Sequence, residues 1–256
     1  MKPDTHARVK EAIVAFAKNN LGKVGVSIDE VKRAFPFHAL FFPDEALLSF
    51  KIQRSLVTRM GMKLYPQIAE IISKDKYSDA HRNHLISGRV EEAKVNAIDR
   101  MIDELRTRKR KPKHDQELSE IARAKGGRKI DLTTIADLYV GDFQPDPVFL
   151  EIKSPRPNLD ICAESKKKML YFHAINAGKN VEAYLAFPYN PFIYREKYDH
   201  SFTMQVMDLE NEVLLGEEMW DKLGGKDTYD ELLKIIEEAR SQISQKPKQT
   251  DLGYGF

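Results

Sequence analysis

Residues 129–153, KIDLTTIADLYVGDFQPDPVFLEIK, decide the fold. Leu132 to Val140 is rich in β-formers, and Val148 to Lys153 is an apolar run carrying two charges. Between them Gly141–Pro147 (GDFQPDP) is made of turn residues. Two such runs around such a loop predict a β-hairpin. Strand side chains alternate between faces, so Glu151 and Lys153 share one face while Leu150 and Ile152 point into the core. A glutamate and a lysine on an apolar strand are costly unless their face meets solvent, a metal or a substrate. Asp137 lies fourteen residues before Glu151, on the other arm. If the arms pair about a turn near Gln144, Asp137 falls opposite Glu151–Lys153.

Two carboxylates and one ammonium at the open side of a sheet suit Mg²⁺, with Mn²⁺ able to substitute. Mg²⁺ takes hard oxygen ligands from one or two carboxylates, with water and phosphate oxygens completing the shell. Asp137 and Glu151 are the candidate metal ligands, and Asp137, Glu151 and Lys153 the candidate catalytic set. Such a metal can acidify a water nucleophile and screen a phosphodiester. Lys153 can orient that water or stabilise developing negative charge. The choice of aspartate stays open between two positions. Pro145-Asp146 is only five residues before Glu151 and belongs to the turn, as does Asp142. Asp137 enters an apolar strand and is favoured; Asp131, twenty residues before Glu151, shares its strand parity if the strand runs unbroken and is the reserve.

Outward from the hairpin, residues ~5–105 read as helical from their apolar spacing. Val9, Ile13, Val14 and Phe16 open an amphipathic helix. Phe35–Pro43 (FPFHALFFP) predicts a packed loop or a partner-facing patch. Ser49–Ser73 predicts a long helix with a kink or break at Pro66, and Val90–Leu105 repeats the helical pattern. After the hairpin come a helix over ~160–177, strands at Val181–Phe187 and Phe202–Leu209, and helix from Glu217 to Ser241 broken at Gly224-Gly225. The expected class is α/β (α+β): a mixed central sheet flanked by helices, with a helical N-terminal region over 1–105, a core over 106–244 and a flexible tail over 245–256.

Composition fits this. The 256 residues are 42% hydrophobic and 31% charged, with a net charge of +2. The charge is uneven: Arg106–Lys113 (RTRKRKPK) holds six Lys/Arg in eight residues. One cysteine, Cys162, excludes an internal disulfide and a Cys-based zinc site. No stretch approaches the ~20 apolar residues that span a membrane, and the N-terminus lacks a signal-peptide pattern, so a soluble cytoplasmic protein is expected.

The motifs ADLYV (136–140) and FLEIKSP (149–155) resemble the PD-(D/E)xK nucleases. KIDLTTIADLYV, FLEIKSPRPN (149–158), YLAFPYNPF (184–192) and MWDKLGGKDTYDELL (219–233) are together similar to the TdeIII-type restriction endonucleases, as is RSLVTRMGMKLYPQIAEII (54–72). Ala136 stands where the class label has proline. The resemblance implies a PD-(D/E)xK core and Mg²⁺-dependent cleavage of double-stranded DNA at a GC-rich palindrome of the GGNCC type. A palindrome in turn implies a homodimer. A non-specific nuclease of the same core and a non-catalytic DNA-binding protein are the alternatives.

Further candidates face DNA. Arg108, Lys109, Arg110 and Lys111 suit phosphate contacts against a bland reading as a solvated loop. Lys166, Lys167 and Lys168 open the helix after Lys153, which in this topology lies beside the active site. One of them, with Lys166 the candidate DNA contact, is set to reach the scissile phosphate against the bland reading of a solvated face. Asn190 is set either to bond adenine or to close an Asx turn. His81 and His84 read as a linker or helix-end pair, and Glu92 as an extra metal-shell carboxylate or an exposed helix residue.

Overall fold

The computed structural model describes residues 1–21 and 27–244; the expected flexible tail, 245–256, lies outside the described residues. Among the described residues, the first 73 are mostly helical. Helix α1 (Pro3–Leu21) sends Val9 and Ala12 into the core. Helices α2 (Ile28–Ala34), α3 (Pro36–Phe41) and α4 (Asp44–Arg59) follow. The aromatic segment is thus mostly helix, started by Pro36, whose missing N–H costs nothing in a first turn. Phe37, Leu40 and Phe41 remain exposed. A π-helical turn, Met60–Leu64, joins α4 to α5 (Tyr65–Ser73). The expected interruption therefore falls just before Pro66, which occupies the first turn of α5.

Strand β1 (Ala80–Glu91) corrects the expectation of helix up to residue 105. His81 and His84 lie on this strand, their rings stacked with centroids 5.5 Å apart, and His84 stacks in turn on Tyr139 at 4.7 Å. Helices α6 (Glu92–Arg106) and α7 (His114–Arg123) follow, then the hairpin strands β2 (Lys129–Val140) and β3 (Val148–Ile152). Next come α8 (Leu159–Ile175) and β4 (Glu182–Phe187). The second correction concerns Phe202–Leu209. It is not a strand but α9 (Ser201–Val206), which the His200 ring caps by accepting from Thr203 N. After α10 (Leu209–Glu212) comes the short β5 (Val213–Leu215), then α11 (Glu217–Gly224) and α12 (Thr228–Ser244).

The five strands lie in the order β1-β2-β3-β4-β5. β1, β2 and β3 pair antiparallel, while β3–β4 and β4–β5 are parallel. The α8 crossover supplies the first parallel step. Leu138, Val140, Leu150 and Ile152 pack on Ile68 and Ile72 of α5 and on Trp220 and Leu223 of α11. Trp220 Nε1 donates to Pro188 O at 2.8 Å, so its buried polar atom is satisfied. On the other face Phe149, Leu185 and Phe187 meet Met169 and Phe172 of α8. Gly88 lets β1 approach α8 closely, since a Cβ there would stand 2.7 Å from Ile175 Cγ2. With both faces covered, every residue of β3 is buried. A one-residue slip would exchange the two faces, and each large side chain lost from burial costs about 1.5–3 kcal/mol. The packing thus pins the register that sets the site.

Candidate active site

The β2–β3 ladder pairs Leu138 with Leu150, Tyr139 with Phe149 and Val140 with Val148, and goes no further. One step on, the arms part, and Asp137 and Glu151 stand at the parting. β3 continues along β4, with Glu151 beside Leu185 and Ile152 beside Ala186. Lys153 N donates to Ala186 O at 3.1 Å. Backbone N–H groups alternate along a strand, so that of Ile152 points back toward β2, where no ladder partner remains. Asp137 supplies one: its Oδ2 accepts from Ile152 N at 2.8 Å.

The same Oδ2 accepts from Lys153 Nζ at 2.6 Å, and that ammonium lies 3.1 Å from Glu151 Oε2. The other Glu151 oxygen, Oε1, accepts from Lys168 Nζ at 3.0 Å. Glu151 is 1% exposed, although its face was expected to be open. Helix α8 covers it, and two ammoniums replace the missing water. Burial, then the Asp137 carboxylate, raise the proton affinity of Glu151 above the ordinary range; Lys153 and Lys168 act against the rise. Burial alone would lower the Lys153 pKa, but Glu151 and Asp137 outweigh it and raise it, so this lysine stays charged.

The other aspartates stand elsewhere. Asp131 is directly across from Arg89 on β1, 3.5 Å away, with a side chain 88% exposed. Six residues along a strand from Asp137 is about 20 Å. Asp142 accepts from Ser78 N and Oγ and from Asp79 N, tying the hairpin loop to the segment before β1. Asp146 is in the loop. Glu92 starts α6 beside Arg128, at the far end of β2.

Lys166 requires a correction. It is fully buried, 2.5 Å from Glu117 Oε2 and 2.5 Å from both oxygens of Glu212, so it does not face a ligand. Lys168, two residues on, is the lysine of that run that reaches the site. In the basic run, Lys109 and Lys111 are exposed. Arg108 Nε donates to Gln205 Oε1 at 3.0 Å, and Arg110 pairs with Glu104 and Glu120. Arg106 reaches Asp160 in the first turn of α8 at 2.6 Å, which places the start of the run near the end of the sheet where β3 finishes. Asn190 Oδ1 accepts from Phe192 N at 2.9 Å, the Asx-turn arrangement.

Among the described residues no group of three or more His, Cys, Asp and Glu is poised to hold a metal. Two carboxylates, Asp137 and Glu151, are what the site brings together as candidate oxygen donors. Two hard carboxylates, with the rest of the shell left to water and substrate, fit a small divalent cation such as Mg²⁺.

A mixed sheet with helices on both faces, parting between two strands at paired carboxylates, has the architecture of restriction-endonuclease-like nucleases. The family model described as "Type II restriction endonuclease, HinfI" matches residues 1–240. The chain belongs to that family and is a Type II site-specific deoxyribonuclease. The Type II restriction enzymes HgiEI and HgiBI of Herpetosiphon aurantiacus are each 32% identical to it over 227 residues, 82% of this chain and 80% of theirs. MjaII of Methanocaldococcus jannaschii is 27% identical over 240 residues, 87% of this chain and 60% of its own length. The TdeIII-type likeness of individual motifs sits within the same class of enzyme. The family match starts at residue 1, so it takes in the first 45 residues, which carry none of that likeness.

Proposed function

We propose that this enzyme hydrolyses double-stranded DNA in a Mg²⁺-dependent reaction at a short GC-rich palindrome of the GGNCC type, as a homodimer, with Asp137, Glu151 and Lys153 as its catalytic set. The observation that carries the chemistry is the Lys153 ammonium bridging two carboxylates, 2.6 Å from Asp137 and 3.1 Å from Glu151, at the point where two strands part. Asp137 and Glu151 would hold the cation. A bound Mg²⁺ supplies charge screening at the phosphodiester and acidifies a water. Lys153 stabilises the negative charge that builds up on the phosphate oxygens. Its raised pKa keeps it cationic at neutral pH, as that role requires. Helix α8 and the apolar residues of β3 keep the glutamate out of bulk water, where its interactions would be weaker.

The site sequence follows from the motif resemblance, and the homodimer follows from the symmetry of a palindrome. The exposed Lys109 and Lys111 suit a path for the phosphate backbone beside α8. Digestion of a sequenced plasmid tests the reading. Discrete fragments in Mg²⁺ or Mn²⁺, and none in Ca²⁺ or excess chelator, are expected, and mapping their ends gives the site. A smear would favour a non-specific nuclease, and intact DNA a binding protein.

A further inference from the structure

Three consecutive lysines on α8 meet three different environments, because each helical residue turns about 100° from the last. Lys166 is sealed between Glu117 and Glu212. Lys167 turns outward to Asp99 at 2.7 Å and lies over the Tyr171 ring. Lys168 turns to Glu151 and stays partly exposed. Packing fixes this phase: Met169 and Phe172 pack beside Phe149 and Leu185, and Thr134 Oγ1 of β2 donates to Lys168 O at 3.3 Å.

The charges explain what a second lysine does here. Asp137 and Glu151 carry two negative charges, and Lys153 and Lys168 two positive ones, so the four side chains cancel. Once the two carboxylates are engaged by a divalent cation, the same set carries two positive charges in excess. Phosphodiester hydrolysis passes through a phosphate bearing two negative charges. A lone partner of Glu151 would need no access to solvent, yet Lys168 keeps it.

From this we propose that Lys168 is a second phosphate-binding lysine of the active site. It rests on Glu151 in the free enzyme and moves to a non-bridging oxygen of the phosphate to be cut when DNA arrives. This rests on the nuclease reading above.

The test uses the full-length enzyme and a short duplex carrying the site mapped from plasmid digestion. Binding is measured against salt in chelator, so that no cleavage intervenes. Each phosphate contact contributes about 0.9 to the slope of log K against log salt. Removing Lys168 alone also leaves Glu151 more negative, so the comparison is made where that charge is absent: Glu151→Gln against Glu151→Gln/Lys168→Gln. The second variant is expected to have a slope smaller by about 0.9, with Lys168→Arg retaining the wild-type slope. A duplex with an uncharged methylphosphonate at the cleaved position gives a second reading. Wild type should bind it more weakly than the natural duplex, and Lys168→Gln should discriminate less between the two. Equal slopes in the two Glu151→Gln backgrounds, or equal methylphosphonate penalties, would leave Lys168 as a partner of Glu151 and overturn the proposal. Wild-type cleavage in Mg²⁺ is the control: its absence would overturn the nuclease reading, whereas cleavage with equal slopes overturns the role of Lys168 alone.

Discussion

Lys166→Met separates the buried lysine from Lys168, the one proposed above to meet the phosphate. Lys166 is fully buried and holds Glu117 and Glu212 together, each of them 1% exposed. Methionine keeps the length of the side chain and removes the charge, leaving two carboxylates buried without their cation. Breaking a buried ion pair from one side costs roughly 3–5 kcal/mol. Glu212 would keep His114 Nδ1 at 3.1 Å and Asp208 N at 2.8 Å, and Glu117 would keep Lys113 N at 3.2 Å. Those partners place the loss near the lower end, about 3 kcal/mol, or roughly 6–12 °C in Tm for a chain of this size. The pH dependence gives a second signature. Burial acts to raise the Glu212 pKa, but Lys166 and the hydrogen bonds from His114 and Lys166 outweigh it, and the value is lowered. A depressed carboxylate contributes stability that is present above its unfolded pKa and is lost as pH falls through its folded value. In the variant burial prevails and the pKa rises, so acidification relieves the destabilisation. Melts followed by circular dichroism should show the deficit at pH 7 narrowing toward pH 4. Meanwhile the salt slope of DNA binding should stay at the wild-type value. A Tm loss under about 2 °C, a deficit independent of pH, or a smaller salt slope would refute the buried assignment.

Two other outcomes follow from the charge map. Lys109→Ala combined with Lys111→Ala should weaken binding to all DNA sequences and reduce the salt slope by up to about 1.8, whereas Arg110→Ala, which loses Glu104 and Glu120, should act on thermal stability instead. A change of site preference with an unaltered slope would mean that the lysines read bases. His173, pushed down to about 4 first by burial and then by His114, stays neutral in the folded chain while it protonates in the unfolded one near 6.5. Its contribution is therefore lost as pH falls from about 6.5 to about 4, and His173→Phe should flatten that part of the stability profile measured by urea titration.

The hairpin was legible because three signals agreed on it: apolar alternation, a loop of turn residues, and charges at period two. The turn near Gln144 gave the observed register, with Leu138 across from Leu150. β1 was not legible. HRNHLISGRVE carries polar residues on most positions, and its Leu85 is exposed, so no apolar face announces a strand. β5 is three residues long, too short to carry a period. FTMQVMDL has the composition of a strand, and only the cap from His200 and tertiary packing make it helical. The same limit applied at the site. Which of three adjacent lysines meets Glu151 depends on the phase of α8, set by Met169 and Phe172 against the sheet. Nor could the sequence show that Glu151 is buried, because its cover comes from a helix that begins eight residues later.

In the proposed mechanism Asp137, with Glu151 and Lys153, forms the cutting centre. Single-turnover cleavage of the mapped site in Mg²⁺ by Asp137→Asn, beside Asp131→Asn, tests it most directly, with binding measured on the same duplex in chelator. Asparagine keeps the shape and an oxygen for the Ile152 N–H, so folding and binding should persist. The charge that would hold the cation is gone, so the cleavage rate should fall by several orders of magnitude, while Asp131→Asn cuts at the wild-type rate. Cleavage by Asp137→Asn at the wild-type rate, or loss of cleavage in Asp131→Asn alone, would mean that Asp137 is not the cutting carboxylate.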